Sequence, residues 1–109
     1  MLCATLHVEV PVVRRFIGDY LELLDDRVER IDHDLEYGNP NSASVALLSL
    51  TASSLMLGAN GVAEAADQLR RETLADDHRD PVIAERQRSL HEQATNERRR
   101  LARIWSIAG

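Results

Sequence analysis

The chain has no lysine: all 13 of its basic residues are arginine. Schiff-base and phosphate chemistry that depend on a lysine amine are therefore closed to it. A single cysteine, Cys3, cannot close an intrachain disulfide, so nothing ties the fold to an oxidising compartment. No apolar run reaches the length that spans a bilayer. The opening stretch, MLCATLHVEV, lacks a basic n-region and carries Glu9, so no signal peptide is expected. Strand signals are missing too, with neither useful period-two alternation nor a hairpin turn flanked by apolar runs. These absences lead to the expectation of a cytoplasmic, all-α protein without a membrane segment.

At 109 residues the chain has the length of one domain with a single core, needing neither metal nor disulfide support. Apolar content of 44% is ordinary for a globular protein and argues against disorder. The net charge of −5 is unevenly spread: residues 1–60 hold nine acids against four arginines, and residues 61–109 hold nine of each. An acidic first half is a poor match to a phosphate backbone, so no nucleic-acid partner is expected. The one basic cluster, Arg98-Arg99-Arg100 with Arg103, reads as a solvated helix face.

Apolar periodicity predicts four helices. Residues 1–10 read as an extended arm or a short lid helix, with Leu2, Leu6, Val8 and Val10 as its apolar positions. A long amphipathic helix starts near Pro11, where proline suits a first turn, and ends near Gly38. Phe16, Tyr20, Leu24, Val28, Ile31 and Leu35 form its apolar row, opposite an acidic face of Asp19, Glu22, Asp25, Asp26, Glu29, Asp32 and Glu36. Gly38-Asn39-Pro40 then reads as C′ glycine, N-cap and N1 proline in succession. The second helix runs from about Pro40 to Leu57 and stops at Gly58. Asn60 caps a third helix to about Leu74, with Val62, Ala65, Ala66, Leu69 and Thr73 inward. After a polar turn, Asp80-Pro81 opens a fourth helix to about Trp105, with Ile83, Gln87, Leu90, Ala94, Leu101, Ile104 and Trp105 inward. Short connections between long helices predict an antiparallel up-down four-helix bundle over residues 11–109, preceded by the arm.

The stretch Leu47 to Gly61, LLSLTASSLMLGANG, is uncharged and apolar with small residues interleaved. It resembles the central motif of histidine phosphotransfer domains, A-H-x-L-K-G-S-[SA]-x-x-[LF]-G. The matches are Leu50, Ser53, Ser54, Leu57 and Gly58, and Ala59 to Glu64 resembles the family's continuation G-A-x-x-L-A-E. The spacing of Phe16, Leu21, Ile31, Leu35 and Gly38 resembles its preceding helix. The similarity covers roughly residues 12–74, and the fourth helix agrees in kind only. The departures fall on functional positions. Leu48 stands where the family carries its phosphoryl-accepting histidine, Thr51 where it carries lysine, and Ala52 where it carries glycine. No histidine lies between His33 and His78, so no shift of register supplies one. Leucine has no nucleophilic atom, and phosphotransfer at this position is chemically excluded.

At 100° per residue, Ala43, Ala46, Leu47, Leu50, Ser54 and Leu57 share one face of the second helix, and the resemblance implies that this is the buried face. Leu48 lies well away from it, with Ser44, Val45, Thr51, Ala52 and Leu55 around it and Met56 at the margin. Two readings of that second apolar face stay open. Residues 1–10 could fold across it, or it could be a docking surface for another protein, which the resemblance makes a receiver domain or a histidine kinase module. His33, between Asp32 and Asp34, is expected on the solvated side of its helix. His78 and His91 lack metal-ligand spacing, and no metal, cofactor or catalytic residue is assigned. The resemblance thus implies a degenerate signalling module, not an enzyme, that binds a phosphorelay partner without carrying phosphate. The alternative is a homodimeric or scaffolding bundle with no phosphorelay role.

Overall fold

The structure is a computed structural model that describes residues 10–75 and 80–108. Four helices account for nearly all of these: α1 (Val10–Glu36), α2 (Pro40–Met56), α3 (Asn60–Leu74) and α4 (Asp80–Ala108). No strand occurs among the described residues. The first nine residues, which include most of the expected arm and Cys3, lie outside the description, as does His78 in the turn before α4. Val10, assigned to the arm by sequence, already belongs to α1.

Two turns of the same design place α2. Gly38 has φ +73° and Gly58 has φ +75°, the left-handed conformation that a Cβ disfavours. Beyond each glycine the next amide reaches back to close the preceding helix. The Asn39 amide donates to the Asp34 carbonyl at 2.7 Å, and the Ala59 amide donates to the Ser54 carbonyl at 2.8 Å. These are Schellman ends, which satisfy carbonyls that a helix terminus would otherwise leave open. With three residues between helices on either side of α2 and five before α4, consecutive helices must fold back on each other, and the bundle is antiparallel. The N-termini depart in detail from expectation. Asn39 is the N-cap of α2 but its side chain makes no capping hydrogen bond, and Ala59, not Asn60, is the N-cap of α3.

The helices form a closed ring in which each packs on its two neighbours and none on the helix opposite. The core holds Ile17, Tyr20, Leu24, Val28 and Ile31 from α1, Ala46, Leu47 and Leu50 from α2, Val62, Ala65, Ala66 and Leu69 from α3, and Leu90, Ala94 and Leu101 from α4. The alanines let α2 and α3 approach closely, and these two make the most extensive helix pair. The α1–α4 seam is the thinnest, and polar groups bridge part of it. Arg98 Nε donates to Asp25 at 2.7 Å, Gln87 Nε2 donates to Asp32 at 2.9 Å, and His91 Nε2 lies 2.8 Å from Asp32. At the end of the seam the Arg14 guanidinium stacks 4.4 Å over the Trp105 ring. Trp105, expected in the core or at its end, is half-buried there.

Three positions stand out in the burial pattern. Phe16 is 57% exposed although it heads the apolar row of α1. Each four-residue step precesses about 40° around a helix, so three such steps carry Phe16 about 120° away from Val28. Asp34 is buried at the end of α1, and Glu97 is buried in the inward row of α4 between Ala94 and Leu101. Glu97 is held there by Arg100, whose Nε donates to Oε1 at 2.9 Å while Nη2 engages Oε2. That hydrogen bond holds the Arg100 guanidinium above its usual pKa range, against the opposing pull of burial. The neighbouring Tyr20 hydroxyl shares a buried 2.8 Å hydrogen bond with Ser54 Oγ, the one polar group on the inner face of α2. Burial pushes the Tyr20 phenol above its ordinary pKa; the Ser54 bond opposes this, Glu97 adds to it and Arg100 opposes it.

Two outcomes test this core. Leu50 is fully buried, so Leu50→Asp traps a carboxylate among Leu47, Leu69 and their neighbours; it should cost about 3 kcal/mol or more and abolish the cooperative thermal transition seen by circular dichroism. The Tyr20 phenol binds its proton more tightly folded than unfolded. Its contribution is complete below about pH 10 and is lost as pH rises through the raised folded value. Urea midpoints taken between about pH 8 and 11 should fall more steeply for the parent than for Tyr20→Phe.

Candidate functional site

Burial of Ala43, Ala46, Leu47, Leu50 and Ser54 fixes the rotation of α2 about its own axis. The opposite side must then face outward, and it is as apolar as the inner one. Val45, Leu48 and Leu55 are exposed large hydrophobic side chains, Leu48 at 55%, and Ala52 is exposed between them. Of the six residues expected to form the site, these four fall on one outward line. Ser44 and Thr51 are half-buried at its margin. The Thr51 hydroxyl donates to the Leu47 carbonyl at 2.8 Å, a bond within its own helix, so Thr51 presents a methyl group and an engaged hydroxyl.

The exposed surface is larger than the six residues. Met56 is 87% exposed at the C-terminal end of the line, and Phe16 projects from α1 beside it. Together with Asp19, Tyr20, Leu23, Ser53 and Leu57 they border a groove of about 280 Å³ between α1 and α2. A second apolar groove of about 300 Å³ runs on the other side of Phe16, between Val12, Ile17, Leu57, Leu101 and Ile104. At the N-terminal half of α2 the margin changes character. Arg27 and Arg30 from α1 meet Ser42, Val45 and Ser49 there. Sequence reasoning placed Met56 at the edge of this face but assigned Phe16 to the core. The precession of its row was the signal available.

Electrostatically the face is blank. From Pro40 to Met56 there is no charged residue, while the outer surface of α1 is strongly acidic. From Pro40 to Met56 there is also no histidine or cysteine, so the only polar side chains of α2 are hydroxyls and one amide. His33 is exposed on α1, its ring centroid 4.6 Å from that of Tyr37 and its Nδ1 3.8 Å from the Asp34 carboxylate. Among the described residues no group of three or more histidine, cysteine, aspartate or glutamate side chains could hold a metal ion. Also among them, no helix is long and apolar enough to cross a membrane.

No protein-family model, curated protein or solved structure matches this chain. The resemblance to histidine phosphotransfer domains therefore rests on the quoted residues of α1 to α3.

Because the outer line meets water in the single chain, a charge placed on it should be tolerated by the fold of the monomer. In samples dilute enough to be monomeric, Leu48→Asp and Leu55→Asp should each cost under about 1 kcal/mol, mostly helix propensity. Comparison of their melting curves with that of Leu50→Asp under the same dilution checks the rotation of α2. A loss at position 48 as large as that at position 50 in the monomer would show the outer face to be covered by the chain itself.

Proposed function

We propose that this chain is a histidine-phosphotransfer-like module that has lost its phosphoryl acceptor and binds a phosphorelay partner without carrying phosphate. The partner is a receiver domain, or a kinase module that recognises such a bundle. The observation that carries the proposal is Leu48. It occupies the position that the resemblance gives to the accepting histidine, and it points outward from the middle of an uncharged apolar line. An imidazole there would be presented for phosphoryl transfer; a leucine is presented for contact alone. Thr51, in the place of the family's lysine, has its hydroxyl engaged with Leu47 and offers no cation to a phosphoryl group.

Contact alone is a coherent role for such a face. Burying one exposed leucine contributes about 1.5–3 kcal/mol, and Val45, Leu48, Leu55 and Met56 are all available to a partner. The mechanism is competition: a receiver or kinase module held on α2 is withheld from a bundle that does carry histidine. Specificity has to come from the rim, where Arg27 and Arg30 flank one end of the line and Asp19 the other.

Two measurements test this together. Incubated with an active histidine kinase or a phosphorylated receiver domain, the chain should acquire no acid-labile phosphate. Calorimetric titration with isolated receiver domains and kinase modules should give a complex that Leu48→Asp and Leu55→Asp each weaken about tenfold or more, since a carboxylate is then trapped in a dry interface. Label that disappears on substitution of His33, or binding indifferent to both variants, would refute the proposal.

A further inference from the structure

We infer that the outer line of α2 also pairs with α2 of a second copy of this chain, antiparallel, so that the free protein is a two-fold dimer which hides the face until a partner displaces one copy. The inference rests on packing and charge and holds whatever the identity of the phosphorelay partner.

Spacing is the first argument. Val45, Leu48, Ala52 and Leu55 are separated by three, four and three residues, the a/d spacing of a coiled-coil seam. A row with that period drifts by about 20° per heptad, which suits it to one other helix crossing at a shallow angle. The buried side of α2 follows a broader pattern in which adjacent residues such as Ala46 and Leu47 are both covered, as expected for a helix between two neighbours. The outer line is thus patterned for a single facing helix.

Size decides the direction. Complete overlap of the line with itself in antiparallel sense centres the pair between Leu48 and Ala52. Leu48 then faces Ala52 of the second copy, and Val45 faces Leu55 of the second copy. Large meets small at the centre, which fills space as interdigitated cores do. Parallel pairing would set Ala52 against Ala52 and leave a void, while crowding Leu48 against Leu48.

Charge points the same way. The molecule carries a net charge of −5, and the outer surface of α1 away from α2 concentrates Glu22, Asp25, Asp26 and Glu29. Two copies meeting there would repel, whereas α2 brings no charge at all. Along the α1 flank, Arg30 lies beside the N-terminal half of α2 and Asp19 beside its C-terminal half. Reversing the second copy lays those flanks side by side with unlike ends together, and it also opposes the two helix dipoles.

The test uses the full chain in sedimentation velocity over a concentration series. A concentration-dependent monomer–dimer equilibrium is expected. Leu48→Ala opens a hole at the centre and Ala52→Leu overfills it, so each should raise the dimer dissociation constant about tenfold or more. Both positions are exposed in the single chain, so the helical circular dichroism of diluted samples should be unchanged. The double variant, Leu48→Ala with Ala52→Leu, exchanges the knob and the hole and should restore dimerisation towards the parent value. A chain that stays monomeric up to about 1 mM, a tighter dimer for Ala52→Leu, or a double variant no better than its parents would each overturn the inference. A monomer that still binds a receiver domain refutes only the dimer. A dimer with the swap behaviour that ignores receivers and kinases refutes only the proposed function.

Discussion

Packing of Leu47, Leu50 and Ser54 into the centre of the ring is the constraint on which the rest of this structure depends. These three side chains are fully buried, and they fix how far α2 is turned about its axis. Everything on its outer side follows from that rotation. At 100° per residue Leu48 lies about 160° from both Ala46 and Leu50, so it points outward once those two point in. The buried hydrogen bond between Tyr20 and Ser54 sharpens the same constraint, because a rotation that removed Ser54 from Tyr20 would leave two hydroxyls dry and unpaired. A purely apolar contact would tolerate small rotations more readily. Here the polar pair supplies registry, and the leucines supply most of the free energy of burial.

The ring is not equally strong all the way round. α2 and α3 are joined by a tight glycine turn and the closest helix packing, whereas α1 and α4 meet through Asp25–Arg98, Asp32–Gln87 and Asp32–His91. The exposed Asp25–Arg98 ion pair contributes little and is screened by salt. The helix that displays the outer apolar line therefore belongs to the firmest part of the bundle. A face held in place before binding has less conformational freedom to lose on association.

Much of this was legible in the sequence, for reasons that can be located. Gly38 and Gly58 announced the helix ends because only glycine enters the left-handed region without strain, and both do so. The inward rows of α3 and α4 were legible because polar residues occupy the other sides of those helices. The rotation of α2 was harder to read, since both of its sides are apolar and hydrophobicity does not tell inner from outer. The choice of Ala43, Ala46, Leu47, Leu50, Ser54 and Leu57 as the inner set came from the resemblance; the structure buries the first five and leaves Leu57, the C-cap of α2, half-buried. Glu97 was illegible for the opposite reason. A carboxylate in an inward row looks like an interruption until Arg100, one turn on, is seen to close over it. Phe16 was misplaced because a row of four-residue steps looks straight in a sequence and spirals on a helix.

The outward line of α2 finally has to be reconciled with its surroundings. Isolated exposed leucines are ordinary, but Val45, Leu48, Leu55 and Met56 are contiguous and uninterrupted by charge. A face that served one docking event and was otherwise bare would also favour indiscriminate association. Pairing with a second copy gives the face a defined default occupant. Because a copy and a phosphorelay partner would then compete for the same residues, their equilibria are linked. The apparent affinity for the partner is reduced by the fraction of chains not free to bind, and that fraction depends on the concentration of the chain itself. At low abundance the face of each copy would be open, and every added copy would be free to bind a partner. At high abundance each added copy would go increasingly to another copy. Such a module would have a self-limiting output set by Val45, Leu48 and Leu55, which both contacts share, without any chemistry at position 48.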